Sequence, residues 1–102
     1  DAALPAAQQA TIVEVLDRYA GEGIAYHALR TRQSGRRAFI SVHVLVPGRW
    51  SVKHAHDWVE RIEADLRGAV PNCHITAHVE PIDDPVSHDD QGLDRPAPAS
   101  SP

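Results

Sequence analysis

The 102-residue chain contains no methionine and few aromatic residues: two Trp, two Tyr and one Phe. The missing methionine, also at the first position, leads us to expect an excised piece or a processed product of a longer protein. So few rings predict an aliphatic and shallow core, and the chain length fits a single domain. Because a partner surface often completes a shallow core, we expect a homodimer.

Cysteine and long apolar runs are also scarce. The single cysteine, Cys73, excludes an internal disulfide framework and is typical of a reducing compartment. No apolar run approaches the roughly 20 residues of a membrane span, so we expect this chain by itself to be soluble. No glycine-rich phosphate loop, nucleophile elbow or Cys-x-x-Cys pair occurs. These absences argue against an enzyme and against a copper chaperone.

Basic residues are fewer than acidic ones, 10 against 14, which gives a formal net charge of −4. A nucleic-acid binder usually has the opposite balance, so we expect no nucleic-acid partner. Four arginines nevertheless cluster between positions 30 and 37. They could face acidic lipid head groups or an acidic partner, although a solvated hairpin tip is the simpler interpretation.

The periodicity of apolar residues predicts one folded domain, residues 1–81, followed by a disordered tail, residues 82–102. Two β-like runs around Gln33, Ser34 and Gly35 are typical of a hairpin. The predicted order is α-β-β-α-β, with helices over 4–19 and 52–67 and strands over 24–31, 37–46 and 73–80. We expect an α+β fold of two layers, with both helices on one side of a small three-stranded mixed sheet.

Side-chain periodicity assigns residues to the faces of these elements. Ser51 is expected to cap the second helix, whose buried stripe should consist of Val52, Ala55, Val59, Ile62 and Leu66. In the first strand, His27 is expected to share a face with Leu29, whereas in the second His43 shares one with residues 39, 41 and 45. The pairing register decides whether the two imidazoles meet, and the sequence alone leaves it open.

Histidines and one carboxylate fall on every element around the predicted sheet. His78 and Glu80 are two residues apart on the third strand, so both project from one face and could hold one divalent cation. With one histidine on each other strand and one on the second helix, they suggest a site suited to zinc. The candidate metal ligands are His27, His43, His56, His78 and Glu80.

Each of these histidines, taken singly, is more simply a surface residue or a satisfied polar group of the core. We assign three of the seven histidines to that class: His54, His74 and His88. Cys73 alternates with apolar neighbours and is expected in the core, or as a further ligand if it faces the histidines. Trp50 and Trp58 are expected to pack on the core or at a dimer seam.

Five motifs lie along the folded part: HALRTRQSG at 27–35, FISVH at 39–43, VPG at 46–48, SVKHAHD at 51–57 and ITAHVEP at 75–81. Together they resemble the cytoplasmic C-terminal domain of cation diffusion facilitators, proton-coupled exporters of zinc and related divalent metals. The similarity covers about residues 8 to 81. The run that begins at His27 and the start of the second helix are fairly specific in combination.

The resemblance implies a metallochaperone-like, ferredoxin-like fold that dimerises below a membrane domain absent from this chain. It also implies a zinc site at or near the dimer interface, with ligands at the five candidate positions. Glu80 stands where an aspartate is common; it keeps the charge but adds a methylene, so bridging of two metals stays open. Metal binding is expected to close the dimer and thereby favour transport.

Other interpretations remain at this stage. The chain could be a structural dimerisation module with a degenerate metal site, or a free-standing metal-binding protein. Six hydrophobic spans upstream of Asp1 would distinguish the exporter from the latter. Histidine and carboxylate ligands also accept iron, manganese, cobalt, nickel or cadmium, because selectivity rests on geometry.

Overall fold

The computed structural model describes residues 2–83. The elements are α1 (Ala6–Asp17), a 3-10 turn (Ala20–Glu22), β1 (Ala25–Ser34), β2 (Arg37–Val46), α2 (Val52–Ala69) and β3 (Cys73–Pro81). This confirms the predicted α-β-β-α-β order. Most of the predicted disordered tail, with His88, lies outside the described residues. Ile82, its first residue, is described: its amide donates to the carbonyl of Val46 at 2.8 Å.

The sheet has the order β1-β2-β3, so β2 is the central strand. It pairs antiparallel with β1 and parallel with β3, which confirms a mixed sheet. A parallel pair needs a crossover connection, and α2 supplies it between β2 and β3. The antiparallel pair is joined by a two-residue turn, in which Gly35 has φ 60°. A positive φ at the first turn position is typical of tight hairpins.

Hydrogen bonds fix the start of α2 and the segment that follows the helix. The Ser51 side chain accepts from the amide of His54 at 3.0 Å, which confirms the predicted N-cap. After the helix, Asn72 adopts φ 54° and its side-chain amide donates to the carbonyl of Arg36 at 2.9 Å. That bond ties the start of β3 to the tip of the hairpin.

The core lies between the two helices and one face of the sheet, here called the helix face. Side chains of β2 alternate, so that the even-numbered residues from Ala38 to Val46 are buried on this face. The core is aliphatic as predicted, with Trp50 and Trp58 partly buried against its edge. The predicted stripe of α2 is confirmed at four positions: Ala55, Val59, Ile62 and Leu66. Val52, the first helical residue, is 89% exposed instead.

A β-bulge interrupts the pairing of β1 with β2. The register shifts between His27 and Arg30, and Ala28 within this step has φ 54°. One extra residue on β1 reverses the alternation, so Leu29 packs against the core on the helix face. The expectation that His27 and Leu29 share a face was therefore wrong, because it assumed unbroken alternation.

The left-handed backbone at Ala28 generates a stability prediction. Ala28→Val should lower the free energy of unfolding by about 1–2 kcal/mol, because a β-branched side chain is poorly tolerated at positive φ. Ala28→Gly should cause no loss, since glycine adopts this conformation without steric strain. Urea unfolding of the two variants beside the wild type measures both effects. Equal destabilisation by valine and glycine would contradict the bulge.

Candidate metal centre

Three histidines form a row across the sheet on the face opposite the helices, here called the open face. His43 on β2 lies directly opposite His27 of β1 on one side and His78 of β3 on the other. The His27 and His43 rings have centroids 5.3 Å apart, and the rings of His43 and His78 stack at 5.0 Å. The register that the sequence left open therefore brings the three imidazoles side by side.

Glu80 closes one side of this row. It lies two residues beyond His78 on β3 and so projects from the same face. One carboxylate oxygen is 2.8 Å from Nδ1 of His43, and the other is 3.6 Å from Nε2 of His27. Each of these three residues offers one ligand atom, and those atoms all lie within 4.8 Å of one another. The group is compact enough to surround a single cation.

Burial of these polar side chains lowers the stability of the domain when no ligand is bound. The His27 side chain is only 7% exposed, although it lies outside the apolar core. Both of its ring nitrogens and one oxygen of Glu80 are buried without a hydrogen-bond partner among the described residues. A buried polar atom that lacks a partner costs roughly 1–3 kcal/mol. Imidazole nitrogens and a carboxylate are ligands that bind zinc and related divalent ions, so a cation fits this cluster.

The profile of the family described as "Cation efflux protein, cytoplasmic domain" matches residues 4–82. The chain belongs to this family. An uncharacterized transporter of Synechocystis is 42% identical over 87 residues, which are 85% of this chain and 28% of that protein. The chain thus spans little more than a quarter of the length of this curated relative.

Two solved structures share the fold of this cation efflux domain. The metal-bound C-terminal domain of the CzcD transporter from Thermotoga maritima has a TM-score of 0.68 and 29% identity, covering 76% of this chain and 91% of that one. The zinc form of the putative zinc transporter CzrB has a TM-score of 0.69 and 34% identity, covering 79% and 92%. The metallochaperone-like α+β fold and the resemblance to cation diffusion facilitators are confirmed.

The cation efflux domain brings three of the five predicted ligands into one compact group: His27, His43 and Glu80. His78 is next to this group, stacked on His43, with its side chain exposed. His56 is placed differently. It lies on α2, 63% exposed, with Nε2 3.6 Å from a carboxylate oxygen of Glu60. Metal binding by each of the five residues stays a prediction.

The residues assigned to non-ligand roles are separate from the group. The rings of His54 and Trp50 are nearly perpendicular with centroids 4.5 Å apart, and the rings of His74 and Phe39 have centroids 5.8 Å apart. The single cysteine is also separate from the histidine row. Cys73 is half-buried against the core, and burial raises the pKa of its thiol. Cys73 is thus on the helix face and does not face the histidine row. Within residues 2–83, no helix is long and apolar enough to cross a membrane.

A groove beside the row was not predicted from the sequence. It has a volume of about 560 Å³ and lies between α2 and the end of β3. Its walls include Val52 and Val79, which are 89% and 44% exposed, and both His56 and Glu80 line it. The sequence did contain a signal for this groove: apolar residues stand at the first position of α2 and near the end of β3, an edge strand. The groove connects the helix that carries His56 to the strand that carries Glu80.

The unpartnered nitrogens of His27 generate a prediction for the metal-free domain. His27→Leu should raise its free energy of unfolding by about 1 kcal/mol, because the change removes two buried polar atoms that lack partners. Urea unfolding in the presence of a chelator measures this gain. Zinc should raise the melting temperature of the wild type and not of the variant. A loss of stability in the chelated variant would show that His27 already has partners.

Proposed function

We propose that this chain is the regulatory and dimerisation domain of a proton-coupled divalent metal exporter, following a membrane-embedded part. It binds Zn²⁺ or a similar cation, and binding closes the dimer to favour transport. The observation that carries the proposal is the compact group of His27, His43 and Glu80, in which both ring nitrogens of His27 and one oxygen of Glu80 are buried without a hydrogen-bond partner among the described residues. The zinc form of the CzrB relative and the metal-bound CzcD domain support it.

The ligand chemistry favours a cation of borderline softness. Two imidazoles and one carboxylate supply three donors within one protomer. Tetrahedral zinc takes four nitrogen or oxygen donors, so one position is left for His78 on the adjacent strand or for a histidine of a second copy. Iron, manganese, cobalt, nickel and cadmium accept the same donors, so geometry and availability select among them. Binding requires neutral imidazoles and therefore releases protons in acidic solution.

A second copy of the chain is proposed to bind at the groove, which would then be part of the dimer interface. Val52 and Val79 expose apolar surface there, which a monomer would leave in water. His56 lines the same groove and lies outside the compact group of its own protomer. As a ligand it would therefore act on the partner's cluster. A site completed across the groove couples metal binding to the arrangement of the dimer.

Closure follows from this coupling and not from the net charge of the folded part. Residues 2–83 contain nine basic and nine acidic side chains, so the acidic excess belongs to Asp1 and residues 84–102. The force that holds the closed dimer is then local, a cation shared between the histidine row and the partner's His56. A cation shifts the dimer toward the closed state only as far as it binds that state more tightly. The closing movement of the dimer is proposed to be transmitted to the membrane-embedded part.

Zinc calorimetry combined with small-angle scattering tests this proposal. His43→Ala should weaken zinc binding by at least about 100-fold, because even second-shell changes at metal sites cost 10–100-fold. His74→Ala is the matched control, a histidine on the same open face that lies away from the group, and it should bind as the wild type does. Zinc should make the wild type and the control more compact and leave the His43 variant unchanged.

Three outcomes would contradict parts of the proposal. Zinc binding without a change in the scattering profile would remove the closure and leave a metal site. A dimer that binds no zinc would indicate a structural dimerisation module, a role that the exposed Val52 and Val79 also support. Equal losses in the His43 and His74 variants would place the site elsewhere.

A further inference from the structure

The hairpin carries a concentration of positive charge that the metal site does not use. Residues 25–46 contain four arginines and no aspartate or glutamate. The four side chains are all exposed, and within residues 2–83 Arg30, Arg36 and Arg37 form no ion pair. A solvated charge cluster is common, so its significance depends on where the fold places it.

The register gathers these arginines at one end of the open face. Beyond the bulge, Arg30 lies opposite Ser41 and Arg32 opposite Phe39, so both project from the face that carries the histidines. The guanidinium of Arg32 lies 4.0 Å above the Phe39 ring, and that of Arg37 lies 5.9 Å from it. We call Arg30, Arg32, Arg36, Arg37 and Phe39 the arginine patch. Glu80, a carboxylate on the open face, stands at the opposite end beside the histidine row.

The patch has a shallow depression in which an anion could sit. It has a volume of about 470 Å³, and its lining includes the open-face residues Arg30, Arg32, Phe39, Ser41, His74 and Thr76. Arginine binds phosphate through paired N–H donors, and hydroxyl groups can add further hydrogen bonds. Stacking on Phe39 orients the Arg32 guanidinium over the depression.

The start of the domain lies at the same place. Ala2 pairs antiparallel with Gln33 near the hairpin tip, with N–O distances of 2.9 and 2.7 Å in the two directions. On the proposed function, which this inference requires, the membrane-embedded part precedes Ala2. The chain would then leave the membrane beside the arginine patch. The arginines would then lie close to the lipid surface.

We propose that the arginine patch docks on the anionic phospholipid headgroups of the membrane. The phosphates occupy the depression and pair with Arg30 and Arg32, while Arg36 and Arg37 contact headgroups at the tip. Each basic side chain near an anionic surface strengthens binding roughly fivefold, and the attraction extends only about 8 Å in physiological salt. The docked hairpin holds the histidine row at a fixed orientation below the membrane.

Co-sedimentation of the full chain with vesicles tests the proposal. One set of vesicles contains two parts phosphatidylcholine to one part phosphatidylglycerol, and the other contains phosphatidylcholine alone. The hairpin variant carries Arg30→Gln, Arg36→Gln and Arg37→Gln. The control carries Arg49→Gln, Arg61→Gln and Arg67→Gln, three exposed arginines outside the hairpin with the same change in charge.

The wild type should bind the anionic vesicles and not the neutral ones. The hairpin variant should partition roughly 100-fold less, at about fivefold for each arginine, and the control should match the wild type. Equal binding to both vesicle types would overturn the proposal, and so would equal losses in the two variants. Tighter binding of a short RNA, lost in the hairpin variant, would overturn the lipid assignment in favour of nucleic acid.

Zinc calorimetry on the same three proteins separates this proposal from the proposed function. None of the six substituted arginines contacts the histidine row, so each protein should bind zinc alike. Vesicle binding in a chain that binds no zinc would support the docking and contradict the metal site. Zinc binding in all three proteins without preference for anionic vesicles would overturn the docking alone.

Discussion

The register of the central strand is the constraint on which the rest of the structure depends. β2 pairs antiparallel with β1 and parallel with β3, and in both ladders the residue opposite His43 is another histidine. A slip of one residue in either ladder would turn that histidine toward the helix face. The side chains that β1 and β3 pack against the core, among them Leu29, Ile75 and Ala77, fix the register, because a slip would turn them away from the helix face. The core and the metal group are therefore specified together.

The bulge at Ala28 determines which side chains of β1 project from the open face. Because one extra residue is inserted after His27, both His27 and Arg30 project from that face instead of from opposite ones. The histidine row and the arginine patch can then occupy two ends of one surface. A metal bound at one end and lipid headgroups at the other would fix the orientation of the same rigid sheet. This arrangement offers a physical route from metal binding to a membrane-embedded part.

Local patterns in the sequence predict much of the fold. The bounds of β2, the Ser51 cap and the order of elements follow from alternation, capping and turn residues, each of which acts over a few positions. The bulge gives no such signal, since alanine rarely adopts the positive φ that Ala28 has. The distribution of histidines over the elements and the family resemblance both indicated the five ligand positions, but the separation of His56 from the group depends on how α2 packs. Long-range pairing and packing decide these features, and no local pattern encodes them.

X-ray absorption at the zinc edge of the loaded chain tests the central claim most directly. The claim is that the sheet register brings His27, His43 and Glu80 onto one cation. The account predicts scattering from at least two imidazole rings, nitrogen or oxygen at the roughly 2.0–2.2 Å expected for these ligands, and no sulfur. In His43→Ala the imidazole contribution should fall. A sulfur ligand from Cys73, or a shell without imidazole scattering, would contradict the account.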